Sequence, residues 1–97
     1  MLYIYHNLAY IWDDEKESIA LQKHHVSFRY NAVKVFNGNN PYSQLQDDDR
    51  KKIVGIIGKR LHAVISTWDG HYRRIITAFV AGRTDVKRYI NNPARQS

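Results

Sequence analysis

The sequence predicts a two-layer α+β domain, an antiparallel β-sheet meander covered by two N-terminal helices and one C-terminal helix. Three observations carry this expectation. The chain has 97 residues, 43% hydrophobic and 25% charged, which suits one small core and is too apolar for a disordered tail. Residues 53–57, 61–68 and 72–80 are apolar runs joined by connections too short for a parallel crossover. Residues 13–36 instead carry helix-start residues followed by apolar positions at helical spacing.

Residues 2–5 and 8–12 are rich in Tyr, Ile, Leu and Trp, with Asn7 between them, and read as extended structure. Asp13 or Asp14 can accept from first-turn N–H groups, and Glu17 follows Asp14 by three residues, as in a capping box. Lys23, His24 and His25 suit the negative end of the dipole, so a helix is expected over 14–24. Ser27 suits the N-cap of a second helix, in which Phe28, Ala32, Val35 and Phe36 repeat at helical spacing. Asn37-Gly38-Asn39-Asn40-Pro41 must break it. Residues 42–46 read as a short edge strand and Asp47-Asp48-Asp49 as a solvated turn. The run 53–57 ends at Gly58, and a tight Lys59-Arg60 connection leads into 61–68. Asp69-Gly70 is a hairpin signal before 72–80. Gly82 and Thr84 open a last helix reaching Tyr89 or Ile90, which Asn91-Asn92-Pro93 stops. All helices are expected on one face of the sheet.

Charge divides the chain. Residues 1–49 hold four Lys/Arg against seven Asp/Glu, a net −3, whereas residues 50–97 hold eleven against two, a net +9. Such a half is a candidate surface for a polyanion or an acidic partner, or simply a basic solvated face. Seven tyrosines and two tryptophans add aromatic faces that can stack on unpaired bases. The absence of cysteine excludes disulfides, a thiol nucleophile and thiolate metal sites. Five histidines lack metal-ligand spacing, so no metal and no cofactor is expected. The apolar runs are too short for a spanning helix and the first residues are not a secretory signal, so no membrane association and a cytoplasmic location are expected.

A cluster of Lys, Arg, His and Tyr can cleave RNA unaided, because the 2′-OH is an internal nucleophile. The protein need only accept its proton, stabilise the phosphorane and protonate the leaving oxygen.

Trp12-Asp13-Asp14-Glu15-Lys16, Lys23-His24-His25-Val26-Ser27-Phe28 and Val35-Phe36 resemble the opening of the BrnT-type toxins, with their W-D-E-x-K, K-H-G-V-x-F and V-F motifs. Ile56-Ile57-Gly58, the strand 61–67, Arg74-Ile75-Ile76-Thr77-Ala78 and the helix bearing Asp85 and Tyr89 continue the resemblance. It runs from about Tyr10 to Tyr89 of a single 1–97 domain, leaving residues 1–8 as an extension.

The resemblance implies a bacterial ribonuclease toxin of a type II toxin–antitoxin pair, with a RelE-like fold, that inhibits translation by cutting RNA. It implies neutralisation by a BrnA-like antitoxin with a ribbon-helix-helix DNA-binding end, operator DNA being reached only through that antitoxin. It points to Lys23 and Arg74 as phosphate holders and His24 as a proton-transfer group; Arg83, four residues beyond Phe79 and past Gly82 where the chain turns into the last helix, is a further candidate catalytic residue by its position. The expected RNA contacts are Lys52, Arg60, Arg73, Lys87, Arg88 and Tyr89. Two positions depart from the motifs. His25 replaces a glycine and Phe79 replaces the arginine of R-I-I-S-A-R. If that arginine serves the phosphorane, the alternative is a catalytically weakened homologue that binds RNA or an antitoxin.

Overall fold

The computed structural model describes residues 1–37, 42–45 and 49–91. Its elements are β1 (Leu2–Tyr5), β2 (Leu8–Trp12), α1 (Asp14–His24), a π-helical turn (Phe28–Ala32) running into α2 (Val33–Phe36), β3 (Tyr42–Leu45), β4 (Lys51–Ile57), β5 (Arg60–Asp69), β6 (Tyr72–Val80) and α3 (Arg83–Ile90). The breaker at 38–41, the Asp47-Asp48 turn and the Asn92-Pro93 stop fall outside the described residues.

Local chemistry behaves largely as the sequence indicates. Asp13 caps α1, its carboxylate accepting from the Glu15 N–H at 2.8 Å. Ser27 caps the π-turn by accepting from the Tyr30 N–H at 3.1 Å. Two-residue loops close three hairpins: His6-Asn7, both at positive φ, then Gly58-Lys59 and Gly70-His71. Glu17 departs from its expected role. Rather than closing a capping box on α1, its carboxylate accepts from the Trp12 indole and from the Phe28 and Arg29 N–H groups, at 3.2, 3.0 and 3.3 Å. It thereby ties the end of β2 to the start of the π-turn.

The sheet is not the expected antiparallel meander. Its order is β1-β2-β6-β5-β4-β3, and β2 lies parallel to β6, with Tyr10 opposite Arg73 and Trp12 opposite Ile75. The meander exists from β3 to β6, but everything from α1 to β5 forms the crossover that parallel pairing requires. Between β5 and β6 the register slips: Ile65 faces Thr77 while Ser66 faces Ile75. Ile76 is therefore an extra, bulged residue.

Nor do the helices share one face. Tyr10, Trp12, Ala20, Phe28, Val33, Val35, Ile53, Val64, Ile75 and Ala78 form the main core beneath α1, the π-turn and α2. Gly55 leaves room for this packing, because a Cβ there would meet Val35 Cγ1 at 3.3 Å. Val54, Ala63 and Tyr89 form a second cluster with Leu61, Phe79 and Ala81. Alternation along β4 and β5 puts this cluster on the other face, so α3 covers the sheet from the opposite side.

Candidate functional site

The face that carries α3 also carries a groove. Beyond Trp12, where β2 stops pairing, α1 runs beside the free side of β6. Its first turn meets Arg74 to Ile76 across an open groove of about 370 Å³ lined by Asp13, Lys16, Arg50, Thr67 and Arg74. Its last turn meets Phe79, whose ring centre lies 6.0 Å from that of His24. The bulge at Ile76 makes this arrangement possible. Past it, Thr77 and Phe79 share the groove face with Arg74, whereas a regular strand would align Phe79 with Arg73.

Two clusters of charged side chains therefore lie along one face. At one end Lys16, Arg50 and Arg74 converge, Arg74 bonding the Asp69 carboxylate at 3.0 Å. At the other, Lys52 Nζ lies 5.6 Å from the Phe79 ring centre and 2.6 Å from Asp85. Asp85 comes from the first turn of α3 and is buried, so the ion pair also fastens that helix to the sheet. Along β6, Arg74 and Phe79 are roughly 13 Å apart at about 3.3 Å per residue with Ile76 bulged out, whereas Arg50 and Lys52 are only two residues apart in the chain.

The expected site residues divide accordingly. His24, Lys52 and Arg74 face the groove side. Lys23 stands exposed beside His24, and Arg83 is exposed at the start of α3. Arg60, Lys87 and Arg88 are exposed, Arg60 at the β4–β5 hairpin and the others on α3.

Two expected RNA contacts need correction. Tyr89 is 5% exposed and packs in the second cluster, so its ring is no free stacking platform. Arg73 lies on the opposite face, held against Phe36 and Trp68. Neighbouring residues on a strand point to opposite sides, and Arg74 takes the groove side.

Lys16 and Arg50 are site residues that sequence reasoning missed. Lys16 closes the Trp12–Lys16 motif and was available as a signal. Arg50 had none beyond its place in the basic half. Among the described residues, no three or more His, Cys, Asp or Glu side chains group as a metal site would require. No helix among them is long and apolar enough to cross a membrane.

Comparison with known proteins supplies the frame for this geometry. The family model described as ribonuclease toxin, BrnT, of type II toxin–antitoxin system matches residues 12–85. The 1.1 Å crystal structure of the Brucella abortus ribonuclease toxin BrnT shares the fold, with a TM-score of 0.66 and 24% identity. That similarity covers 76% of this chain and 96% of the other. No curated protein matches the sequence.

Proposed function

The chain belongs to the BrnT family of ribonuclease toxins of type II toxin–antitoxin systems, and we propose that the groove beside α1 and β6, on the sheet face that carries α3, binds and cleaves single-stranded RNA. The observation that carries this reading is the convergence of Lys16, Arg50 and Arg74 on one groove, with His24 and Lys52 further along the same face. Arg74 with Lys16 and Arg50 holds a neighbouring phosphate, and His24, with Lys23 beside it, serves the scissile one.

There the 2′-oxygen attacks phosphorus, its proton passes to a base, and the 5′-oxygen departs with a proton from an acid, leaving a 2′,3′-cyclic phosphate. On this reading His24 carries one of these transfers, and Lys23 offsets phosphorane charge. No metal takes part. In the cell the product is cut message and arrested translation. The partner is a BrnA-like antitoxin that carries the DNA-binding function, and the setting is the cytoplasm.

The test is cleavage of single-stranded RNA by the purified protein in excess EDTA. His24→Ala is expected to lose on the order of 10²–10⁴ in rate at saturating RNA, and Arg74→Ala to weaken binding about tenfold through one lost charge-assisted contact. Full activity of both variants, or abolition by EDTA, overturns the assignment.

A second reading has its own observation. Arg74 and Lys52 already hold carboxylates, and Phe79 stands where the family motif has arginine. These features favour a weakened enzyme whose main role is binding. In that case Phe79→Arg, which adds a cation between His24 and Lys52, raises cleavage by up to about 10²-fold, the worth of one oriented donor. An inert Phe79→Arg leaves the first reading in place.

A further inference from the structure

The face away from the groove holds a cation that no part of the ribonuclease reading uses. Arg73 Cζ lies 4.3 Å from the Phe36 ring centre and 4.5 Å from that of Trp68. Phe36 in turn stacks on Tyr10 at 5.7 Å and 22°. Asn37 fixes the far end by donating to the Tyr10 hydroxyl at 3.1 Å and to the Val33 carbonyl at 2.8 Å. The result is an ordered array of Tyr10, Phe36, Arg73 and Trp68 beside a small pocket of about 90 Å³, whose other walls are Leu8 and Ala9.

Among the described residues no carboxylate pairs with Arg73; Asp69 is taken by Arg74. A guanidinium remains charged at neutral pH, and burial already pulls the Arg73 pKa below its ordinary value, against a smaller opposing effect of Tyr10. Arg73 is only half-buried and carries no counter-ion among the described residues, so charge complementarity favours an anionic partner here.

We propose that this pocket docks the carboxylate of an Asp or Glu side chain from a protein partner. Aromatic rings lie against the guanidinium, so its in-plane N–H donors are what remain, and their fork matches a carboxylate. The pocket is too small for a nucleotide but admits a carboxylate with its methylene stem, which Leu8 and Ala9 would pack. Around it Leu8 and Trp68 are 48% and 52% exposed, an apolar rim for the partner's neighbouring residues. Trp68 and Arg73, the accessible members of the array, are among the residue types that dominate binding at protein interfaces. Because the pocket faces away from the groove, its test does not depend on the ribonuclease reading.

The experiment is a titration of the isotope-labelled protein with N-acetyl-glutamate N-methylamide, following the Arg73 Nε–H and Trp68 Nε1–H resonances. N-acetyl-glutamine N-methylamide and dimethyl phosphate serve as comparison probes. Saturable shifts at both resonances are expected with the glutamate probe at millimolar concentration. Binding should weaken about tenfold or more with the glutamine probe, in Arg73→Lys and in Trp68→Ala, as loss of a bidentate, stacked ion pair requires. Several outcomes overturn the proposal. They are the absence of a saturable shift in the wild-type protein, equal binding of the glutamine probe, and tighter binding of dimethyl phosphate, which would make this a nucleic-acid contact. A move of the free Arg73 resonance in Asp47→Asn/Asp48→Asn also overturns it, because the anion would then be the chain's own.

Discussion

His25 follows α1 at φ 56° and ψ 33°, the left-handed region. Its N–H reaches the Ala20 and Leu21 carbonyls, so the helix ends in the hydrogen-bonding pattern that favours glycine at this position. The family motif places glycine here, and the histidine keeps the turn at the cost of local strain. A non-glycine residue in this region costs about 1–2 kcal/mol, while glycine loses about 0.5–1 kcal/mol more chain entropy on folding. His25→Gly should therefore stabilise the protein by about 0.5–1 kcal/mol, read as a higher urea midpoint with an unchanged slope. A lower midpoint would mean that the His25 ring makes a compensating contact. The same scale explains why Arg73 and Arg74 part company. They are adjacent in sequence and alike in chemistry, yet strand alternation sends one among aromatic rings and the other to the groove.

At the scale of elements, Glu17 does more than its place in α1 suggests. One carboxylate joins three segments: the indole at the end of β2, α1 itself, and the N–H groups that open the π-turn. Those N–H groups have no partner within their own helix, and leaving such donors unsatisfied costs about 1–3 kcal/mol in all. Glu17→Ala is expected to lower stability by about that amount in chemical denaturation. It should also loosen α1 against β6, so that hydrogen exchange at Trp12 Nε1 and the Phe28 N–H accelerates beyond exchange in β5. Uniform acceleration everywhere would show Glu17 acting on global stability alone. The bulge at Ile76 is the other decisive element, because it turns the second half of β6 over and aligns Phe79 with Arg74.

Over the whole molecule, the division into an acidic first half and a basic second half does not survive folding as a division of surfaces. Lys16, from the acidic half, lines the same groove as Arg50 and Arg74 from the basic half. Lys34 sits exposed on α2, across the sheet. RNA affinity should fall with salt by counterion release, with a slope near −0.7 per phosphate contact on single strands. Reversing Lys16, Arg50 and Arg74 together should flatten that slope by about two units on the same scale, while Lys34→Glu should leave it nearly unchanged. Filter binding or fluorescence anisotropy across a salt series measures both. An equal effect at Lys34 would mean that the surface binds RNA diffusely rather than through the groove.

The sequence by itself determined what is local: an aspartate cap at 13 or 14, the Ser27 cap, the Gly58 and Gly70 turns, the extents of α1 and α3, and the ordered motifs of the family. These follow from hydrogen bonds and backbone preferences reaching only a few residues, so a linear reading finds them. Only the tertiary structure decided that β2 slots in parallel beside β6, some sixty residues away, and that α3 takes the face opposite α2. It also decided which cations share a groove. Pairing of distant strands is chosen by packing, which no short window of sequence contains. A single bulged residue reverses side-chain parity for the rest of a strand. That reversal moves Phe79 from the side of Arg73 to that of Arg74, and the counting of alternate residues along β6 could not reveal it.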